Sequence, residues 1–228
     1  MVTATLFEHL YSQDERPPWD VDGPASFVVE LEAAGQFGGN VLDVGCGTGE
    51  NALYLADRGH RVVGVDVAPT AIGKAVDKAG DRGLDVRFAV ADACELAGYS
   101  DAFDTVLDCG LYHSLTEADQ ERYVCALRRV TRPGAVVHLR SSRAAEAQQR
   151  RPRQPALPPY FAEVLRDWSE QARQEFARML DRSITQDELE KAFSEGWFIG
   201  SLRSIDTEVI PGLGECKVRL WLARIHRR

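Results

Sequence analysis

No stretch of this chain reaches 18 consecutive apolar residues, so no segment is long enough to cross a bilayer as a helix. The opening residues, MVTATLFEHLYSQDERPPWD, lack the basic start and apolar middle of a signal peptide. These two absences lead us to expect a cytoplasmic protein with no membrane partner. A basic excess is missing too: 27 Lys and Arg stand against 35 Asp and Glu, a net charge of −8. That balance argues against a partner held by phosphate neutralisation, so we expect no nucleic acid and a small-molecule substrate. The five cysteines are odd in number, form no CxxC and have no histidine at a metal-ligand spacing. We expect reduced thiols and no metal site. Internal repeats are also lacking.

What is present is an alternation of short apolar runs with helical patterns, the signature of βα units feeding a parallel sheet. With 228 residues, 44% of them hydrophobic, the chain can bury one full core, and we expect a single domain. A helix over about Ala25–Gln36 precedes strand one at Asn40–Val44, followed by a helix over Glu50–Arg58 and strand two at Arg61–Asp66. Pro69 opens a helix to about Ala79, and Gly83–Leu84 turns the chain into strand three at Asp85–Val90. Strand four is read at Ala102–Cys109. Thr116 with Asp119 resembles a capping box and starts a helix to Val130, and Pro133–Gly134 leads into strand five at Ala135–Arg140. The Arg-, Gln- and Pro-rich stretch within Arg143–Pro159 reads as a connector. Tyr160–Leu180 carries apolar residues at helical spacing, and Thr185–Glu188 is a second capping box. Two strands near Leu202–Ile210 and Cys216–Ile225, joined by Pro211–Glu215, end the chain.

The chemistry concentrates in Val41–Glu50, VLDVGCGTGE, and in RVVGVD ending at Asp66, which lies 21 residues after Gly45. A buried strand that breaks at Gly45, Gly47 and Gly49 and then starts a helix is expected to leave backbone N–H groups open and to let main chain approach a ligand. An acid closing the next strand suits a ribose with two free hydroxyls. Asp43 separates the candidate cofactors. A carboxylate two residues before the first glycine repels a pyrophosphate but pairs with a cationic amine, which favours an aminoacyl sulfonium over NAD. These residues resemble the first two motifs of the class I S-adenosylmethionine (SAM) dependent methyltransferases, over roughly Gln36–Ser142. The ERPPWDVDGP segment is similar to the arm of the small-molecule branch, which includes thiopurine, thiol and halide methyltransferases and actinobacterial enzymes acting on heterocycles and quinones.

The resemblance implies an α/β fold, a Rossmann-like doubly wound sheet of seven strands whose last strand is antiparallel, with an N-terminal arm and a helical insertion after strand five. It divides the one domain, 1–228, into an arm and helix (1–35), a SAM-binding core (36–142), a linker and lid-like helix (143–184) and a C-terminal helix and strand pair (185–228). Ligands of such sheets bind at the carboxyl ends of the strands. The expected cofactor residues are Asp43, Gly45, Cys46, Gly47 and Gly49 toward the methionine and ribose, Asp66 on the ribose hydroxyls, and Val67 as a wall beside the adenine. Asp92 and Ala93 are expected near the adenine amine and Cys109 through its backbone carbonyl. Trp19 is expected over the sulfonium as a cation–π partner. His113, in the loop after strand four, is the candidate general base and Tyr112 the candidate for orienting a hydroxyl. The implied reaction is in-line methyl transfer from SAM, with S-adenosylhomocysteine (SAH) as product, to O, N or S of a small, aromatic or heterocyclic acceptor by a monomer or homodimer. Alternatives are a nucleic-acid methyltransferase, although DCGLYHS stands where an N/D-P-P-Y/F motif is often found, and a non-catalytic SAM- or SAH-binding protein.

Overall fold

Strand order follows from where the apolar runs fall. VLDV and TVLDC are buried on both faces, which only the middle of a parallel sheet allows. The computed structural model, which describes residues 2–143, 157–206 and 219–228, has these two strands as neighbours at the centre. Its strands are β1 (Asn40–Val44), β2 (Arg61–Asp66), β3 (Arg87–Val90), β4 (Phe103–Cys109), β5 (Thr131–Ser142), β6 (Trp197–Asp206) and β7 (Arg219–Arg227). They form one seven-stranded sheet in the order β3-β2-β1-β4-β5-β7-β6. The first five strands are parallel and β7 runs antiparallel to both β5 and β6, as the resemblance implied.

Eight helices are described: α1 (Val2–Tyr11), α2 (Ser26–Ala33), α3 (Glu50–Asp57), α4 (Pro69–Arg82), α5 (Glu117–Val130), α6 (Pro159–Val164), α7 (Glu170–Leu180) and α8 (Gln186–Ala192). One sheet face packs Leu42, Val44, Val106 and Val137 against Tyr123 and Leu127 of α5 and Leu189 of α8. The other packs Val41, Leu107 and Leu222 against Phe27 and Val28 of α2 and Ala52 and Leu55 of α3. The two faces therefore see different helices, and successive residues of β1 and β4 point to opposite sides. Strand order reverses between β1 and β4, which puts the ligand crevice at the carboxyl ends of these strands.

Several expected boundaries hold for the anticipated reason. Pro69 is at the first turn of α4, and Gly83 ends it in the left-handed conformation, three residues later than expected. Thr185 and Glu188 make a complete capping box. Others change. Strand five starts at Thr131 and runs through Pro133–Gly134, because its pairing with β4 shifts register between Phe103 and Thr105. Tyr160–Leu180 is two helices: the first ends at Val164, and Ser169 restarts the second by accepting the Ala172 N–H at 3.2 Å. The N-terminal arm contains a helix, α1, that the sequence reading left out. Most of the Arg143–Pro159 connector, the Pro211–Glu215 turn and the flanking strand ends lie outside the described residues.

Candidate functional site

Between β1 and α3 the loop takes left-handed backbone at Gly45, Gly47 and Gly49, where a side chain would be strained. Its amides are not open. The Gly45 and Cys46 N–H groups both donate to the Val65 carbonyl at 2.8 and 3.0 Å, and the Gly49 N–H donates to the Cys46 carbonyl at 3.0 Å. The Gly47 N–H donates to the Asp66 carboxylate at 2.9 Å. This corrects the expectation of free donors: the end of β2 takes three of these amides and the Cys46 carbonyl the fourth, so the loop is no cradle for a phosphate. The glycines instead permit close approach. A Cβ on Gly47 would stand 2.7 Å from the Tyr11 hydroxyl of α1.

Asp43 is buried on β1, and neither of its carboxylate oxygens has a hydrogen-bond partner. Burial, reinforced by the nearby Asp66 charge and opposed by the Ala52 N–H of α3, which approaches without completing a well-formed hydrogen bond, pushes its pKa up to about 7. A carboxylate taken out of water without a donor is destabilising, and a cation delivered by a ligand offsets that cost. Asp66 differs. Its oxygens accept the Gly47 and Ala68 N–H groups, each at 2.9 Å, joining the glycine loop to the start of α4, and burial raises its pKa. Each oxygen keeps a second lone pair for a further donor. The Cys46 thiol turns inward, 3.1 Å from where a Gly64 Cβ would lie, and burial raises its pKa, so it packs and does not react. Val67 is half-buried beside Asp66. Beyond β3, exposed Asp92 accepts the Cys94 N–H at 2.8 Å and closes a turn around Ala93.

On the far side of β4, Asp108 is a buried acid that sequence reasoning missed. Its Oδ1 accepts N–H groups from Gly110 (3.2 Å), Leu111 (2.8 Å) and Tyr112 (3.3 Å), and its Oδ2 accepts the Tyr123 hydroxyl at 3.0 Å. Burial still raises its pKa to about 6. It shapes the 3-10 turn Tyr112–Ser114. Tyr112, expected to orient a substrate hydroxyl, has its ring in the core between Tyr123 and Phe193 at centroid distances of 6.3 and 6.0 Å. His113 lies beside Gly110, its Cε1 3.4 Å from where a Gly110 Cβ would stand. Its Nδ1 accepts the Ser142 N–H at 3.4 Å, which assigns the ring proton to Nε2. Burial, aided by Arg140 and Arg182, lowers its pKa to about 4, so the ring is neutral. The Cys109 thiol lies on the α2 side of the sheet, and burial raises its pKa.

A family model described as a methyltransferase domain matches residues 41–134, the stretch from the first glycine motif to the start of β5. The chain is 45% identical over 121 residues to the 2-heptyl-1-hydroxyquinolin-4(1H)-one methyltransferase of Mycobacteroides abscessus, a match covering 53% of each protein. It therefore spans about half the length of that relative. It is 38% identical over 113 residues to an uncharacterized methyltransferase of Schizosaccharomyces pombe, covering 50% of this chain and 78% of the yeast protein. A solved structure described for the conversion of a disulfide bond into a thioacetal group during echinomycin biosynthesis superposes with a TM-score of 0.77 at 36% identity, covering 99% of this chain and 93% of that one. The chain belongs to the methyltransferases.

In this methyltransferase the arm and the inserted helices pack on one another. Trp19 stacks on Phe161 of α6 at 5.6 Å, meets Phe7 edge-on at 5.9 Å, and donates its indole N–H to the Tyr11 hydroxyl at 3.1 Å. Its ring is thus held by aromatic neighbours, and through Tyr11 it reaches the glycine loop. Tyr160 donates to the Glu15 carbonyl at 3.1 Å, and His9 lies 5.2 Å from the Trp168 ring. Tyr160, Phe161 and Trp168 therefore bind the arm of their own chain. Glu8 accepts the Thr70 N–H at 3.0 Å together with the Thr70 hydroxyl, which pins α1 to the N-terminus of α4. The spacing of Leu6, Phe7, Leu10 and Tyr11 was the sequence signal for this helix.

Proposed function

We propose that this chain transfers a methyl group from SAM to a small-molecule acceptor, leaving SAH. The observation that carries the reading is Asp43: a buried carboxylate with no donor, beside a glycine loop whose amides are already taken. Such a site fits a cofactor with an ammonium group and not one with a pyrophosphate.

In this reading Asp43 holds the methionine ammonium and Asp66 uses its remaining lone pairs on the ribose hydroxyls. Gly45, Cys46, Gly47 and Gly49 supply the close main-chain wall, Val67 the apolar wall, Asp92 and Ala93 the adenine side, and Cys109 its backbone carbonyl. SAM brings a methyl group already activated on a sulfonium with a neutral leaving group, so the protein's task is alignment and exclusion of water. His113, neutral and protonated on Nε2, positions the acceptor as a hydrogen-bond donor. Tyr112 supports the turn from beneath. Trp19 holds the arm over the loop through Tyr11. The four parts 1–35, 36–142, 143–184 and 185–228 act as one catalytic unit, as a monomer or homodimer in the cytoplasm. An aromatic or heterocyclic acceptor, methylated on O, N or S, is supported by the mycobacterial relative, whose name specifies a hydroxyquinolinone.

Calorimetric titration with SAH, with NAD as control, tests the cofactor, and a labelled-SAM screen of phenols, heterocyclic hydroxyls and thiols tests the reaction. Micromolar SAH binding without NAD binding, followed by labelled product, is the expected result. No SAH binding overturns the reading.

A further inference from the structure

Arg140 lies near the carboxyl end of β5, opposite Cys109 of β4. Its guanidinium sits over the Phe27 ring of α2, 5.4 Å from the centroid. It makes no hydrogen bond and no ion pair among the described residues. Arg82 pairs with Glu50, Arg132 with Asp104 and Arg227 with Asp101. Arg58, Arg87 and Arg228, like Arg140, lie over aromatic rings without a carboxylate among the described residues, but those three are exposed and Arg140 is half-buried beside the strand ends. Arg182, the second cation acting on His113, donates to the Leu115 carbonyl and to Gln120. Arg140 is thus a half-buried cation whose fork of donors meets no acceptor among the described residues, an arrangement that favours an anionic ligand.

Its surroundings define where such a ligand would sit. Gly110 follows β4 with φ +103°, and a Cβ built there would lie 3.4 Å from His113 Cε1 and 3.9 Å from Arg140 Nη2. The missing side chain leaves a notch flanked by a neutral imidazole and a guanidinium, with Phe27 beneath the latter. Asp43 and Cys109 are on this same α2 side of the sheet, so the notch adjoins the expected methionine end of the cofactor.

We propose that Arg140 binds the anionic oxygen of the acceptor, and that the enzyme selects acidic hydroxyl acceptors, phenols or enols that reach the site ionised. This rests on the methyl-transfer reading above. The oxyanion lone pair forms the new O–CH3 bond while the S–CH3 bond breaks and its electron pair stays on sulfur. One positive and one negative charge disappear together, and no proton moves in the step. No general base is required, which agrees with a His113 that presents Nε2–H. A fixed guanidinium also lowers the pKa of a bound hydroxyl and so raises its ionised fraction. Stacking on Phe27 keeps the fork in one plane.

The test uses 4-nitrophenol, whose phenolate is read directly by its visible absorbance, added to the SAH-bound protein. Wild type is expected to bind the phenolate and to shift the apparent ionisation of the bound probe downward by about one pH unit. Arg140→Gln removes the shift and weakens phenolate binding by about tenfold to a hundredfold, and Arg140→Lys restores it in part. SAH affinity, measured by calorimetry, stays the same in all three, which shows that each is folded. Wild type that binds SAH but binds no 4-nitrophenol, or binds it without a shift, overturns the proposal, as does a Gln variant that keeps the shift. Failure of wild type to bind SAH overturns instead the methyltransferase reading beneath it.

Discussion

Asp43 and Asp108 are buried acids on adjacent central strands, in the similar local sequences VLDVG and VLDCG, yet they live in opposite circumstances. Asp108 points to the α5 face and is met by three backbone amides and the Tyr123 hydroxyl. Asp43 points to the α2 and α3 face and completes no hydrogen bond, the Ala52 N–H of α3 being the only donor that approaches it among the described residues. The partnered acid shapes a turn, while the unpartnered one is left uncompensated, which is the ground for the ligand-binding role proposed for it. Burial alone does not separate an architectural carboxylate from a ligand-binding one. The count of donors does.

The sharpest way to break this contrast is Asp43→Asn. It should lower SAH affinity by about a hundredfold, because the ligand ammonium then faces no charge. Stability should move the other way. With a folded pKa of about 7 against an ordinary value near 4, Asp43 keeps its proton in the folded state where the unfolded chain has lost it. Ligand-free wild type therefore loses stability as pH rises from about 4 to 7, by up to about 4 kcal/mol from this residue. Thermal melts at pH 4 and pH 8 should show a smaller loss in Asp43→Asn. Equal losses in both proteins would remove Asp43 as the cause.

Asp108→Ala tests the other half. It leaves three amides and a phenol without their acceptor, partly offset by relief of a buried charge, for a net destabilisation of about 2 kcal/mol. Denaturant titration reads this directly. Any loss of SAH affinity should vanish once the folded fraction is corrected for, and a loss that persists would make Asp108 part of the cofactor site. The smallest effect is expected from Trp19→Phe. It keeps the stack on Phe161 but loses the hydrogen bond to Tyr11, about 1 kcal/mol. A change in melting temperature of only a few degrees would fit that value.

The sheet was legible because its signals are local. VLDV followed by three glycines, an acid closing β2, Pro69 at a helix start and the Thr185–Glu188 box each act within a few residues. The break between α6 and α7 was not legible, because the apolar stripe of Tyr160–Leu180 continues across it and only the Ser169 cap marks it. Neither was the role of Tyr112. It is the immediate neighbour of His113, and which of the two rings enters the core depends on the turn that Asp108 imposes. The occupied amides of the glycine loop were beyond the sequence too, since the acceptors of Gly45, Cys46 and Gly47, namely Val65 and Asp66, come from the next strand. Arg140 is marked by its place, half-buried over Phe27 beside Gly110 and His113, which no one-dimensional pattern carries.

A glycine loop with its amides satisfied and two acids beneath it discriminates by rejection. ATP and the dinucleotides share the adenosine half of SAM, so contacts to adenine and ribose cannot tell them apart. What differs is the other end of the molecule, where their phosphates would meet Asp43 with no donor at hand. On the proposed reading, that contact would remove competition from phosphorylated adenosines at the end of the site that takes the methionine ammonium.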